Sequence, residues 1–359
     1  MTAAPDLRLL LPGGAAWLGS LSGFLLPWWV WASLVLAVAA TAFRIRTLAL
    51  LAVAVTLGVS GASATLRVAE QSHSPVAAAA AERGYVSATV RLTSDPVERA
   101  GRFGGYVVAR GTVESVEWRG RAAHTRARVL LLGRGDWSGV GLGAIVRVSG
   151  RLAPADSVDL AGTLSVTRAP VLLALPPSIL LGASTARGWI REASSGASPV
   201  ARELVPGLVV GDDVGLPDEV VEEFREAGLT HLTAVSGTNL TLVVGFLLIV
   251  ARWCGVRSRG LVLVGLLGVV GFVLLARPEP SVVRAAAMGS VALLGLGAGG
   301  RGRGVRALSV AVLVLLLLDP WLALSVGFAL SATATAGILF LAPPVRDALA
   351  QWLPRWAAE

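Results

Sequence analysis

The 359 residues are 54% hydrophobic and only 15% charged, with a mean hydropathy of +0.71, which excludes an ordinary soluble domain and points to several membrane spans. All 31 basic residues are Arg, and the net charge of +8 favours an anionic membrane surface or a polyanionic partner. The single Cys254 excludes an intrachain disulfide, and His73, His124 and His231 stand apart from one another, so no metal or other cofactor is expected.

In chain order, apolar segments at 9–25, 27–43 and 47–66 predict three N-terminal transmembrane helices, a first region over 1–66. Gly19 and Gly23 share one helix face there, the pattern of close helix packing. The period then changes. In YVSATVRLT, Val86, Ala88, Val90 and Leu92 alternate with Ser87, Thr89, Arg91 and Thr93, which predicts a half-buried strand. Further strands are expected over 105–117, 124–132, 143–151 and 162–168. Five short strands separated by Gly-rich turns predict a small β-barrel of the OB type within 67–175.

This barrel is basic, with twelve Arg against seven acidic residues over 84–170. Arg126 and Arg128 share one face of their strand, as do Arg147 and Arg151 of theirs, and Arg91 lies on the polar side of the first strand. Such a face suits single-stranded nucleic acid, and it equally suits a solvated outer wall.

Residues 176–230 read as a juxtamembrane, interfacial helical segment. Within it, PDEVVEEFREAG starts at Pro217, carries acids in its early turns and stops at Gly228. Five more spans are expected, at 232–250, 260–276, 282–298, 305–318 and 321–341, making about eight in all and a last region over 231–359. Gly265, Gly268 and Gly271 again place small residues on a helix face. With the N-terminus inside, Arg44, Arg46, Arg252, Arg257, Arg259, Arg301, Arg303, Arg306, Arg346 and Arg355 all fall on the cytoplasmic side. That arrangement puts the barrel outside the cytoplasm. The predicted class is therefore a polytopic α-helical membrane protein with an inserted extracytoplasmic β-barrel.

Several polar positions stand out against this background. HLTAVSGTNLT, at 231–241, opens a span with His231, Thr233, Ser236 and Asn239, and Thr233, Ser236 and Asn239 would form a stripe along a helix. Packing between helices would use such groups, and so would the lining of a solute path. A hydrolase built on Ser236 and His231 is disfavoured, because they are five apart on one helix with no acid partner. Arg284 sits a few residues inside a span, where it either snorkels outward or faces a watery path and meets a phosphate or an acid. Asp212 and Asp213 suit a turn or cap, and Asp319 before Pro320 suits a turn. The run Gly295-x-Gly297-x-x-Gly300 follows no strand and is not read as a dinucleotide site.

Three stretches carry a resemblance. GLVVGDDVGLPDEVVEEFREAGLTHLTAVSG, PSVVRAAAM and LLLLDPWLALSVGFALSATATAGI, in that order, resemble the signature segments of the ComEC family, the inner-membrane channel proteins of natural transformation. The resemblance implies a bacterial plasma-membrane protein that passes one strand of incoming DNA inward. It implies a path lined by His231, Thr233, Ser236 and Asn239, with Arg284 on phosphate and the barrel face of Arg91, Arg126, Arg128, Arg147 and Arg151 receiving DNA. The expected partners are single-stranded DNA, membrane lipid and other competence proteins (a DNA receptor and a cytoplasmic motor), with self-association compatible.

The chain departs from the family pattern in three ways. Asn239 stands where a second His is common, the outer domain lacks a cysteine pair, and no metallo-β-lactamase-like domain follows by Glu359. The last departure leads to the expectation of a truncated, non-enzymatic chain. Two alternatives compete: a scaffold or exporter component whose outer barrel binds protein or glycan, and the intramembrane hydrolase already disfavoured.

Overall fold

The computed structural model describes residues 10–45, 47–99, 105–137, 139–211, 222–224, 226–227, 237–277, 280–294 and 303–349. Contacts divide the chain into one unit of 1–65, 237–270 and 279–359 and another of 66–236 and 271–278.

The first unit is helical: α1 (Leu10–Leu25), α2 (Trp28–Ile45), α3 (Leu48–Ser72), α7 (Gly237–Trp253), α8 (Arg259–Leu275), α9 (Pro280–Leu294), α10 (Arg303–Leu318) and α11 (Val326–Leu349). The ends of α3 and α8 run on into the second unit. Among the described residues, Trp28–Ile45 and Leu48–Ser72 are long and apolar enough to cross a membrane, and five shorter apolar helices lie between Gly237 and Leu341. The core of this unit gathers Ala16, Leu308, Leu315, Leu316 and Phe328, all buried, with Trp17 and Met288 packed against them. Trp17 meets Phe328 with ring centroids 4.9 Å apart, and its indole N–H donates to the Ala323 carbonyl at 3.2 Å. Both contacts tie α1 to the chain more than 300 residues later.

The small residues act where helices approach. A Cβ on Gly19 would collide with the Leu57 backbone of α3, and one on Gly23 with the Gly61 carbonyl. Gly23→Val is therefore expected to force α1 off α3, costing about 1–3 kcal/mol. A lower midpoint in thermal unfolding of the detergent-solubilised protein checks it. Gly265 and Gly268 likewise face Leu293 and Leu247, whereas a Cβ on Gly271 would meet nothing within 4 Å among the described residues.

The second unit contains α4 (Pro75–Ala81), a seven-stranded sheet, α5 (Ser178–Ser194) and α6 (Pro199–Val210). Its strands are β1 (Tyr85–Leu92), β2 (Val97–Arg99), β3 (Tyr106–Trp118), β4 (Arg121–Gly133), β5 (Ile145–Ala153), β6 (Gly162–Val166) and β7 (Val171–Ala174). The five strands expected from alternation correspond to β1, β3, β4, β5 and β6; β2, β7 and α4 were not anticipated. The Ser74–Pro75 pair marks the start of α4, where the Ser74 hydroxyl accepts from the Ala77 amide.

The pairings run β1–β3–β4–β6–β5, and β5 pairs with β1 again, so the five strands form a closed circuit. Every step is antiparallel except β4–β6. Alternate side chains fill the interior: Val86, Val90, Val113, Val129, Leu131, Val146, Leu152 and Leu164 are all buried. A bulge at Val113–Ser115 interrupts the β3–β4 register, so Val113 and Val116 both point inward, three residues apart. Against β1, Glu114 is the extra residue, with Ser115 opposite Thr89 and Val113 opposite Val90, and strand alternation alone did not foresee it.

Candidate functional site

Three features carry the chemistry, and each is built within one unit.

The first is the outer face of the sheet. Because the even positions of β1 and the odd positions of β4 turn inward, Arg91, Arg126 and Arg128 project outward, as do Arg147 and Arg151 of β5. Register places them relative to one another. Ile145 of β5, Arg91 of β1, Thr112 of β3 and Arg128 of β4 form one row across the strands. Arg147 is two residues beyond Ile145 and Arg126 two before Arg128, so four guanidinium groups share one stretch of wall, with neighbouring rows about 7 Å apart along each strand. Arg151 is further along β5, opposite Tyr85 and Ser165. Arg91 is paired: its Nε donates to Glu114 at 2.8 Å, so the bulge carboxylate neutralises one member of the row.

The second is Arg284 on α9. Its Nε is buried and has no hydrogen-bond partner among the described residues. The neighbouring Val283, Ala287 and Met288 pack into the apolar core, so the helix must hold a guanidinium beside hydrocarbon. The guanidinium nitrogens lie 3.8 and 4.0 Å from the point where a Cβ on Gly327 would be, next to the Ser325 hydroxyl, which accepts from the Phe328 amide. Here α11 begins, so the positive end of a helix and a cation converge, an arrangement that favours an anion. The N-terminus of α7 packs closely on α9, since a Cβ on Gly237 would stand 3.2 Å from Ala285. Asn239, half-buried on α7, belongs to the same helix pair. His231, Thr233 and Ser236 lie outside the described residues, as do Asp212 and Asp213. Asp319 precedes the 3₁₀ turn Pro320–Leu324, and its carbonyl accepts from the Leu322 amide at 3.1 Å.

The third feature was missed by reading the sequence. Asp95, in the β1–β2 connection, receives Arg277 Nε at 2.6 Å, Arg187 of α5 at 3.5 Å and the Leu142 amide at 2.5 Å. The three side chains are 14%, 12% and 6% exposed, respectively. Arg187 also donates to the Leu274 and Leu275 carbonyls, the last turn of α8, and Arg277 to the Gly211 carbonyl. A signal existed for Arg187: it falls on the same face of α5 as the buried Ser194, where a surface charge is out of place. Nothing local marked Asp95 or Arg277 as its partners.

Residues 208–359 match the family profile described as Competence protein. A stretch of 142 residues is 33% identical to ComE operon protein 3 of Bacillus subtilis (strain 168), covering 39% of this chain and 18% of that protein. The chain thus spans under a fifth of the length of the curated relative it matches. No solved structure matches it.

Proposed function

From membership of the ComEC competence family, carried by residues 208–359, we propose that this chain is an inner-membrane component that takes up single-stranded DNA during natural transformation. Its apolar helices cross the bacterial plasma membrane several times, with the N-terminus cytoplasmic and the sheet domain outside. The Arg distribution at their ends supports that orientation. The observation that carries the reading is the basic outer wall of a closed five-strand circuit. The circuit order, with its single parallel step, supports the reading of an OB barrel, a fold that binds oligonucleotides across its second and third strands, here β3 and β4. The Arg126–Arg128 row lies on β4 of that face.

On this reading the wall receives the strand by phosphate contact, and Arg284 with the start of α11 meets phosphates at membrane depth. His231, Thr233, Ser236 and Asn239 line the path, and Asp212, Asp213 and Asp319 serve as turn or cap residues. Other competence proteins deliver the strand and draw it inward; the residues named here bind and guide it and are assigned no bond-breaking step.

The test is single-stranded DNA binding by the full chain in nanodiscs across a salt series. Affinity should fall steeply with salt. With Arg126, Arg128, Arg147 and Arg151 all changed to Ala, the log–log slope should become shallower by about 3, following roughly 0.7 per lost phosphate contact. Equal slopes for both proteins would remove the wall from the DNA route and favour a scaffold whose barrel binds protein or glycan.

A further inference from the structure

The segment from β7 into α5 presents apolar surface that the sheet domain does not cover. All four residues of β7 are exposed, on both sides of the strand: Val171, Leu172, Leu173 and Ala174. Among the described residues it is an edge strand paired only with β5, and a two-sided apolar edge is a form that soluble domains avoid. In α5, Ile179, Gly182, Ala186, Trp189 and Ala193 recur at helical spacing and make one apolar strip, with Ile179 61% and Trp189 67% exposed.

The opposite side of α5 says where this strip is. There Arg187 donates to the Leu274 and Leu275 carbonyls, at 3.4 and 3.1 Å, and so caps the C-terminal end of α8. From Gly260 to Leu275 that helix has no ionisable residue, and its 17 residues measure about 25 Å, close to the thickness of a hydrocarbon core. On the multi-pass reading its end is the point at which the chain leaves that core. Asp95, bonded to both Arg187 and Arg277, holds the arrangement in place.

We propose that the β7–α5 face lies on the bilayer surface, with Ile179 and Trp189 seated at the boundary between headgroups and acyl chains. The inference rests on α8 spanning the membrane. Trp is the side chain suited to that boundary, with an apolar ring and one N–H for the headgroups. A shallow position also answers the edge of β7: its open backbone groups stay hydrated among headgroups, whereas hydrocarbon would leave them unsatisfied. Lipid is favoured over a second copy because the face is held at the end of an apolar helix, where a bilayer surface already lies.

The experiment uses the full chain with its exposed Cys254 changed to Ser. Single cysteines replace Ile179, Trp189, Glu192 or Leu267, each is spin-labelled, and the protein is reconstituted in phosphatidylethanolamine–phosphatidylglycerol vesicles. Accessibility to oxygen, which concentrates in acyl chains, is compared with that to a water-soluble nickel chelate. Leu267, exposed on α8, reports on the span itself.

The labels at 179 and 189 should show an oxygen-to-nickel ratio several-fold above that at 192 and below that at 267. A water-like ratio at 179 and 189, with 267 in lipid, overturns the surface proposal and leaves the span standing. A water-like ratio at 267 removes the span and this inference with it. Labels at 179 and 189 shielded from both reagents would mean that protein covers the strip, which also overturns it.

Discussion

Arg284→Met is expected to abolish most DNA transport while leaving the helical unit at least as stable as before. The two effects have opposite signs for one reason. The Nε of Arg284 is buried without a partner among the described residues, so folding leaves a polar group short of a hydrogen bond. Such a group costs about 1–3 kcal/mol, and Met fills a similar volume without that cost. On the uptake reading, the same cation meets a phosphate in a poorly hydrated route. Truncating one side of such a pair costs about 2–4 kcal/mol, roughly 30- to 1,000-fold in the transport rate.

Arg284→Lys keeps the charge but loses the planar fork, and should fall between wild type and Met. The measurements are uptake of labelled single strands into proteoliposomes and thermal unfolding of the same preparations. A Met variant that transports normally sinks the phosphate role. One that transports poorly and is also less stable shows that Arg284 is holding the bundle together.

Asp95→Ala should release the segment Gly271–Arg277 from the sheet domain. The carboxylate accepts from two guanidinium groups and one backbone amide, all largely buried. Removing it leaves two cations facing each other across an empty acceptor, and breaking a buried pair in this way costs about 3–5 kcal/mol. Arg187 keeps the Leu274 and Leu275 carbonyls and Arg277 keeps the Gly211 carbonyl, so the lower end of that range applies, about 3 kcal/mol.

The readout is local. Amide hydrogen exchange at Leu142 and across 271–277 should accelerate by roughly 100-fold, while β1 and β3 exchange as before. Asp95→Asn retains an acceptor and should lie between the two. Unchanged exchange at 271–277 would mean that the cluster does not hold this segment.

Much of the architecture was legible before any coordinates, because the signals are local. A strand with one face inside must alternate with period two, so β1, β3, β4, β5 and β6 could be read from Val and Leu spacing alone. Helix apolarity and the clustering of Arg at helix ends are equally local. The direction of the Arg126, Arg128, Arg147 and Arg151 side chains follows from the same alternation. Gly19 and Gly23 announced a close helix approach, but not that Leu57 and Gly61 would be what they approach.

What the tertiary structure alone decided are the pairings between distant segments. The return of β5 to β1, the parallel step from β4 to β6 and the bulge that sets Glu114 against Arg91 depend on register, which no single strand encodes. The Asp95 cluster joins residues 92 and 182 positions apart. An ion pair is a contact of a few ångströms with no periodic trace along the chain, so nothing marked Arg277 until the fold brought the Asp95 carboxylate to it. The placement of Arg284 has the same origin. Sequence put a cation within an apolar helix; only the packing of α9 against α10 and α11 left its Nε without a partner among the described residues and set it at the start of α11.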